Sequence, residues 1–325
     1  MYQRICLYRR LMSCSFFSIK IAMRKGRLPG RWRVRAMKTI LVTGGTGQLG
    51  QALRQQAAAY RDLQFVFAGS VQADITKWSE VKQLVYMVKP DAIINCAAYT
   101  NVDAAQADED GAFLVNTAGA GYLSMAAYEI GIPIVYPSTD YVFDGRGINN
   151  DNGNIRPYRE YDPTNPCTVY GRTKMMGEQL TARHNPRHYI IRTAWLYGKG
   201  NNFVRKILKA SRQDTVRVVA DQTGSPTSAM ELAKAILALL KSGQYGLYHC
   251  VCEGSCSRYE LACEIYCQLG IRTKVIPVTT EEYPTAVVRP RYSVLDNYML
   301  RLTTSIRCSH WRDALAEYLA SNKVW

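Results

Sequence analysis

One stretch constrains this chain more than any other. Thr43-Gly44-Gly45-Thr46-Gly47-Gln48-Leu49-Gly50 directly follows the β-branched, apolar run Thr39–Thr43 and leads into a helix-forming run from Gln48. Read through Gly45, Gly47 and Gly50 it fits G-x-G-x-x-G; read through Gly44, Gly47 and Gly50 it fits G-x-x-G-x-x-G. Either way the glycines permit a tight turn and let backbone N–H groups approach a pyrophosphate. The N-terminus of the next helix adds a favourable dipole. Alone the motif is weak; between a strand and a helix it points to a dinucleotide-binding βαβ unit.

The rest of the chain continues that alternation. Gln64–Ala68, Asp91–Asn95, Ile132–Pro137 and His188–Thr193 read as strands. Helices are expected over Gln48–Tyr60, Trp78–Lys89, Val102–Glu129 and Thr168–Ala182, and residues 144–166, rich in Gly, Asn, Asp and Pro, read as a long loop. Past residue 194 the pattern loosens, with helices near Phe203–Ser211, Ala229–Lys241 and Ser257–Leu269 and strands near Val216–Val219, Leu247–Cys250 and Lys274–Pro277. The fold class expected is α/β: a Rossmann-type doubly wound parallel sheet with a smaller C-terminal substrate-binding domain. The expected division gives residues 37–193 and 214–250 to the nucleotide-binding domain, and residues 194–213 and 251–325 to the substrate domain.

Net charge invites a different reading and does not sustain it. The 325 residues carry +15, but residues 1–36 hold ten Lys and Arg and no acid, leaving +5 for the remainder. The basic balance is a tail rather than a nucleic-acid-binding face. As a secretory signal the tail is poor, because Leu11–Phe17 is short and Lys20 interrupts the residues beyond it. The expectation is that residues 1–36 precede a natural start at Met37 and lie outside the fold. A transit peptide and an RNA- or membrane-binding arm are the alternatives. No apolar run reaches about 18 residues, so no membrane span and a cytoplasmic location are expected.

Ten cysteines in a chain without a credible signal read as reduced thiols. Cys250, Cys252, Cys256, Cys263 and Cys267 cluster beside His249, but without paired C-x-x-C knuckles, so buried thiols are expected and no metal site. Cys263 and Cys267, four apart, are expected to share a buried helix face.

Three features carry chemistry. After the second strand comes Ala68-Gly69-Ser70, where an acid would bind the ribose 2′-hydroxyl of NAD. Its absence leaves room for a 2′-phosphate near Ser70 and favours NADPH, with NADH acceptance open. Asp74, a little later, is expected beside the adenine. Tyr170-Gly171-Arg172-Thr173-Lys174 is Y-x-x-x-K, which puts phenol and ammonium on one helix face. A nearby Lys⁺, joined by an oxidised nicotinamide, lowers a phenol from its ordinary value near 10 toward neutrality, which suits a proton donor. Ser138-Thr139-Asp140 ends a strand, where parallel sheets place their sites, and its hydroxyl can bond a substrate oxygen.

With those residues in order, the chain resembles the extended short-chain dehydrogenases/reductases, and within them the dTDP-4-dehydrorhamnose reductases. The blocks are Asn95-Cys96-Ala97-Ala98-Tyr99-Thr100 with Val102-Asp103, Val115-Asn116, and Ser138-Thr139-Asp140-Tyr141-Val142-Phe143-Asp144-Gly145. The Tyr170–Lys174 motif, Arg192–Gly198, Asp221-Gln222-Thr223-Gly224-Ser225-Pro226-Thr227 and Arg289–Asp296 complete them. The resemblance implies hydride delivery from NAD(P)H to the C4 ketone of dTDP-4-dehydro-L-rhamnose. It implies Tyr170 as proton donor, Lys174 as the group that lowers its pKa and holds the nicotinamide ribose, and Thr139 on the ketone oxygen. Gly44, Gly47, Gln48, Leu49 and Gly50 would cradle the pyrophosphate, with Ala97, Ala98 and Tyr99 beside the cofactor. Val102, Thr139, Asp140, Tyr141, Trp195, Asn202 and Arg289 would face the substrate. The partner expected is a small sugar nucleotide, neither nucleic acid nor membrane; a homodimer and a Mg²⁺ requirement stay open. The rivals are another sugar-nucleotide reductase or epimerase, and a non-catalytic regulator like the regulatory subunit of methionine adenosyltransferase.

Overall fold

The computed structural model describes residues 39–149 and 152–321. The reading of residues 1–36 as an extension outside the fold lies outside the described residues. Six parallel strands form the central sheet: β1 (Thr39–Thr43), β2 (Gln64–Ala68), β3 (Ala92–Asn95), β4 (Ile134–Thr139), β5 (His188–Thr193) and β6 (Gly246–His249), in the order β6-β5-β4-β3-β1-β2. The order reverses direction between β1 and β3, and such a switch point leaves a crevice at the carboxyl ends of the strands.

Both faces of the sheet are covered, so its strands are apolar on both sides. Ile40 and Val42 of β1 pack with helices α1 (Gln48–Gln56) and α5 (Ala229–Ser242). Leu41, one residue between them, points the other way, toward α2 (Trp78–Val88) and α3 (Gly119–Glu129). That inversion is the period of two that strand geometry imposes. Helix α4 (Val169–His184) packs beside α3, where Thr181 O accepts from Ser124 Oγ at 2.8 Å. A second core gathers Tyr197, Val204 and Ile207 with Leu261 and Ile265 of α6 (Arg258–Leu269) and Trp311 and Leu315 of α7 (Trp311–Ser321).

The expected single helix over Val102–Glu129 is broken. Asn101 caps a first piece, Val102–Ala107, and Asp108 accepts from Gly111 N at 3.0 Å to start a second, Glu109–Phe113. A short side chain that caps the backbone competes with helix continuation. A π-helical stretch, Leu114–Ala118, then joins α3. Residues 144–166 also hold more structure than a loop. Ile148–Asn149 pairs antiparallel with Ile155–Arg156, and Arg156 forms a forked ion pair with Asp162 at 2.7 and 2.8 Å. Cys250, Cys252 and Cys256 are buried thiols, but Cys267 is exposed and Cys263 half-buried, so that pair does not share a core face.

Candidate active site

The carboxyl ends of β1, β3, β4 and β5 open onto a cavity of about 630 Å³. The glycine turn forms one wall. Gly44 has φ +63°, and a Cβ there would lie 2.5 Å from Ala97 N. At Gly50 a Cβ would lie 2.5 Å from Gly44 O and 2.7 Å from Gly45 Cα, so turn and helix meet backbone to backbone. Gly44 and Gly50 thus shape the turn from behind, while Gly47, Gln48 and Leu49 line the cavity. Helix α1 starts at Gly47 with no side-chain cap and no acid in its first turn. Its leading N–H groups therefore fit an anion such as a pyrophosphate.

The segment after β3 forms the next wall. Ala98 and Val102 line the cavity, and Ala97 and Tyr99 lie on the same strip behind them. Asn116, in the π-helical stretch, fixes that strip. Its Oδ1 accepts from Tyr99 N at 2.9 Å, and its Nδ2 donates to Tyr99 O and Thr173 Oγ1, both at 3.1 Å. Ser70 is exposed and Asp74 part-exposed, and neither reaches the cavity lining. Asp74 is engaged with its own turn: Oδ1 accepts from Thr76 N at 3.0 Å and Thr76 Oγ1 at 2.7 Å, with Lys77 3.6 Å from Oδ2. No acid stands between Gly69 and Gln72.

Thr139 at the end of β4 and Tyr170 and Lys174 on α4 meet at the cavity floor. The Thr139 hydroxyl is within hydrogen-bonding reach of the Tyr170 phenol. It also donates to Asp140 Oδ1 at 2.9 Å. Burial, reinforced by the Asp140 charge and the Tyr141 phenol, holds Tyr170 well above its ordinary value. Lys174 donates from Nζ to Pro137 O at 2.6 Å and sits 4.0 Å from the centre of the Tyr136 ring. Burial pushes its ammonium down to about 7, against the opposing pull of Glu178 and Cys96. Lys174 is not among the groups that shift the Tyr170 phenol here. Burial raises the phenol and lowers the ammonium, and the ammonium is turned to the Pro137 carbonyl.

The substrate-side candidates divide. Asp140, Tyr141, Trp195 and Asn202 line the cavity. Burial raises Asp140 to about 6, with the Ser293 and Thr139 hydroxyls and the Arg258 charge opposing. The Tyr141 ring meets Tyr170 edge-on at 5.6 Å. Trp195 has φ +45°, and its indole rests on Gly224, where a Cβ would lie 2.4 Å from Cε2. Asn202 is committed to the wall itself. Its Oδ1 caps a helix by accepting from Arg205 N at 3.1 Å, and its Nδ2 donates to Gly198 O at 2.7 Å and Gln48 Oε1 at 3.0 Å. Arg289 stands outside the lining, ion-paired to Asp103 at 2.5 Å and 3.5 Å from the Tyr141 hydroxyl.

The sequence reading missed Arg258. Its guanidinium lines the cavity and stacks 3.5 Å above the Trp195 ring centre. A signal was present: Arg258 is the first helical residue, inside the Ser257/Glu260 capping box. The helix dipole disfavours a cation there. Among the described residues, no group of three or more His, Cys, Asp or Glu could hold a metal ion, and no helix is long and apolar enough to cross a membrane.

A family model described as the RmlD substrate binding domain matches residues 37–324. The chain is 41% identical over 287 residues to the spore coat polysaccharide biosynthesis protein SpsK of Bacillus subtilis, covering 87% of this chain and 97% of that protein. A crystal structure of a dTDP-4-dehydrorhamnose reductase from Clostridium acetobutylicum superposes with TM-score 0.84 at 42% identity, over 88% of this chain and all of that one. A dTDP-4-dehydrorhamnose reductase from Bacillus anthracis, solved in complex with NADP, gives 0.83 at 36% identity, over 88% of this chain and all of that one.

Proposed function

Taking as premise that the chain belongs to the RmlD family of NAD(P)-dependent sugar-nucleotide reductases, we propose that it reduces the C4 ketone of dTDP-4-dehydro-L-rhamnose to the alcohol of dTDP-L-rhamnose, in the cytoplasm. The observation that carries this reading is the convergence of Thr139, Tyr170 and Lys174 on one cavity with the uncapped glycine turn. NADPH, when bound, supplies the hydride to the ketone carbon. The lack of an acid after β2 supports NADPH over NADH, since a 2′-phosphate meets no carboxylate there.

The chain's own groups do the rest. Thr139 Oγ1 holds the ketone oxygen toward the Tyr170 phenol, which gives that oxygen its proton as the carbon is reduced. A phenol held above its ordinary value stays protonated at neutral pH, as a proton donor must be. Lys174, on the same helix face, orients the nicotinamide ribose. The glycine turn and α1 bind the pyrophosphate, and Asp140, Tyr141 and Trp195 border the sugar.

The test is NADPH oxidation by the purified chain with dTDP-4-dehydro-L-rhamnose, with NADH in parallel and the product identified. Consumption with dTDP-L-rhamnose formed supports the reading. Tight NADPH binding without turnover of this ketone overturns the substrate assignment. The similarity to SpsK, whose name specifies a polysaccharide rather than a sugar, favours a second reading in that event: the ketone of another sugar nucleotide, run as a further arm.

A further inference from the structure

The guanidinium of Arg258 enters the cavity without a carboxylate of its own. Among the described residues it forms no ion pair, whereas Arg289 pairs with Asp103 and Arg192 with Glu178. It is instead held flat against Trp195 at 3.5 Å, with the Phe203 ring centre 5.0 Å away. Trp195 in turn rests against Gly224, where a Cβ would lie 2.4 Å from Cε2, so guanidinium, indole and glycine backbone form one stack. A stacked guanidinium keeps its in-plane N–H donors free, and those donors match phosphate oxygens two at a time.

Two further observations bear on what it binds. Burial lowers the Arg258 guanidinium to about 10, with Tyr141, Asp140 and Cys256 opposing and the Arg289 charge adding to it. The substrate proposed for this site carries its charge only on the diphosphate.

We infer that Arg258, presented on the Trp195 ring, is the residue that binds the diphosphate of the nucleotide sugar. This rests on the proposed function and adds to it the group that reads the nucleotide's charge. Asp140, whose Oδ2 has no hydrogen-bond partner, offers the competing role: Arg258 as its distant counter-charge.

The experiment is calorimetric titration of dTDP, thymidine and NADPH into the wild-type chain and Arg258→Gln. Loss of a charge-assisted contact predicts dTDP binding weakened about tenfold or more, with NADPH affinity kept within about twofold. Thymidine, which lacks the diphosphate, should bind both proteins alike. Equal dTDP affinity in the two proteins overturns the inference and leaves the counter-charge role. Should Arg258→Gln also lose NADPH, Arg258→Lys decides. Lysine keeps the charge and drops the planar fork, so dTDP weakened with NADPH retained supports the inference, whereas dTDP binding like the wild type overturns it. A wild-type chain that binds NADPH but no dTDP fails at the earlier step, overturning the sugar-nucleotide reading itself.

Discussion

The Nζ of Lys174 is tied to the carbonyl oxygen of Pro137 at 2.6 Å, two residues before Thr139 on the same strand. One hydrogen bond thus links the helix that carries Tyr170 to the strand that carries the hydroxyl facing it. One turn further along the helix, Glu178 grips β4 and β5 together. It accepts from Ser138 Oγ at 2.5 Å and from Arg192 Nε and Nη2 at 2.9 and 2.8 Å. The Tyr170–Thr139 approach is therefore set by two buried cross-links rather than by the flexibility of either side chain.

Tyr170→Phe removes the phenolic proton and little else. Turnover should fall by about 10²–10⁴, the usual worth of a positioned acid. NADPH affinity should stay near the wild-type value, because the hydroxyl faces Thr139 rather than the glycine turn. Steady-state kinetics beside a cofactor titration check both. Turnover near wild type would mean that another group protonates the ketone oxygen.

Lys174→Met should separate stability from activity. Burial holds the lysine at about 7, below its unfolded value near 10.4. Between those values the unfolded chain binds a proton that the folded chain does not, so this group lowers stability, most strongly at and below about pH 7. Methionine removes that cost. The cofactor-free variant should melt higher than wild type at pH 7, with the gain fading toward pH 10, while turnover and NADPH affinity both fall. A lower melting temperature at pH 7 would show that the Pro137 bond outweighs the desolvation.

The central sheet was legible because β strands such as Ile40-Leu41-Val42 are short, β-branched and apolar on both faces, and glycine and proline punctuate what lies between. The break at Asp108 was not, since an aspartate in a polar helix face and one that caps a new helix look alike until Gly111 N is placed. At the site, Thr139, Tyr170 and Lys174 were readable from spacing and strand position. Asn202 lines the cavity as expected, but its amide is spent on Gly198 and Gln48, a long-range commitment that no local pattern encodes. Arg258 carried a local signal, a cation in the first turn of a helix, but its partner ring lies 63 residues away in the sequence and is not readable from that turn.

Gly224→Ala tests the platform without touching a polar group. The added methyl would lie 2.4 Å from the Trp195 indole, so the ring has to move. The KM for the nucleotide sugar should rise several-fold, about 1 kcal/mol in binding, with NADPH affinity unchanged. Tryptophan fluorescence should report the displaced ring. An unaltered KM would remove Trp195 from the substrate wall.

Asp140→Asn should stabilise the protein, and only above mildly acidic pH. The buried carboxyl titrates at about 6, against about 3.8 when unfolded. Below the unfolded value both states hold the proton and the substitution changes nothing through linkage. Between about 3.8 and 6 the folded chain keeps a proton that the unfolded chain has released, so wild-type stability declines as pH rises. Above about 6 the full cost of a buried charge is present, bounded by about 3 kcal/mol. Asparagine carries no charge, and its side-chain oxygen still accepts from Thr139 Oγ1, so the nearest hydrogen bond survives. The melting temperature of the variant should therefore exceed wild type at pH 7.5 and converge with it near pH 4. A difference that stayed constant across that range would mean that Asp140 is ionised throughout, with the Arg258 charge and the two hydroxyls outweighing its burial.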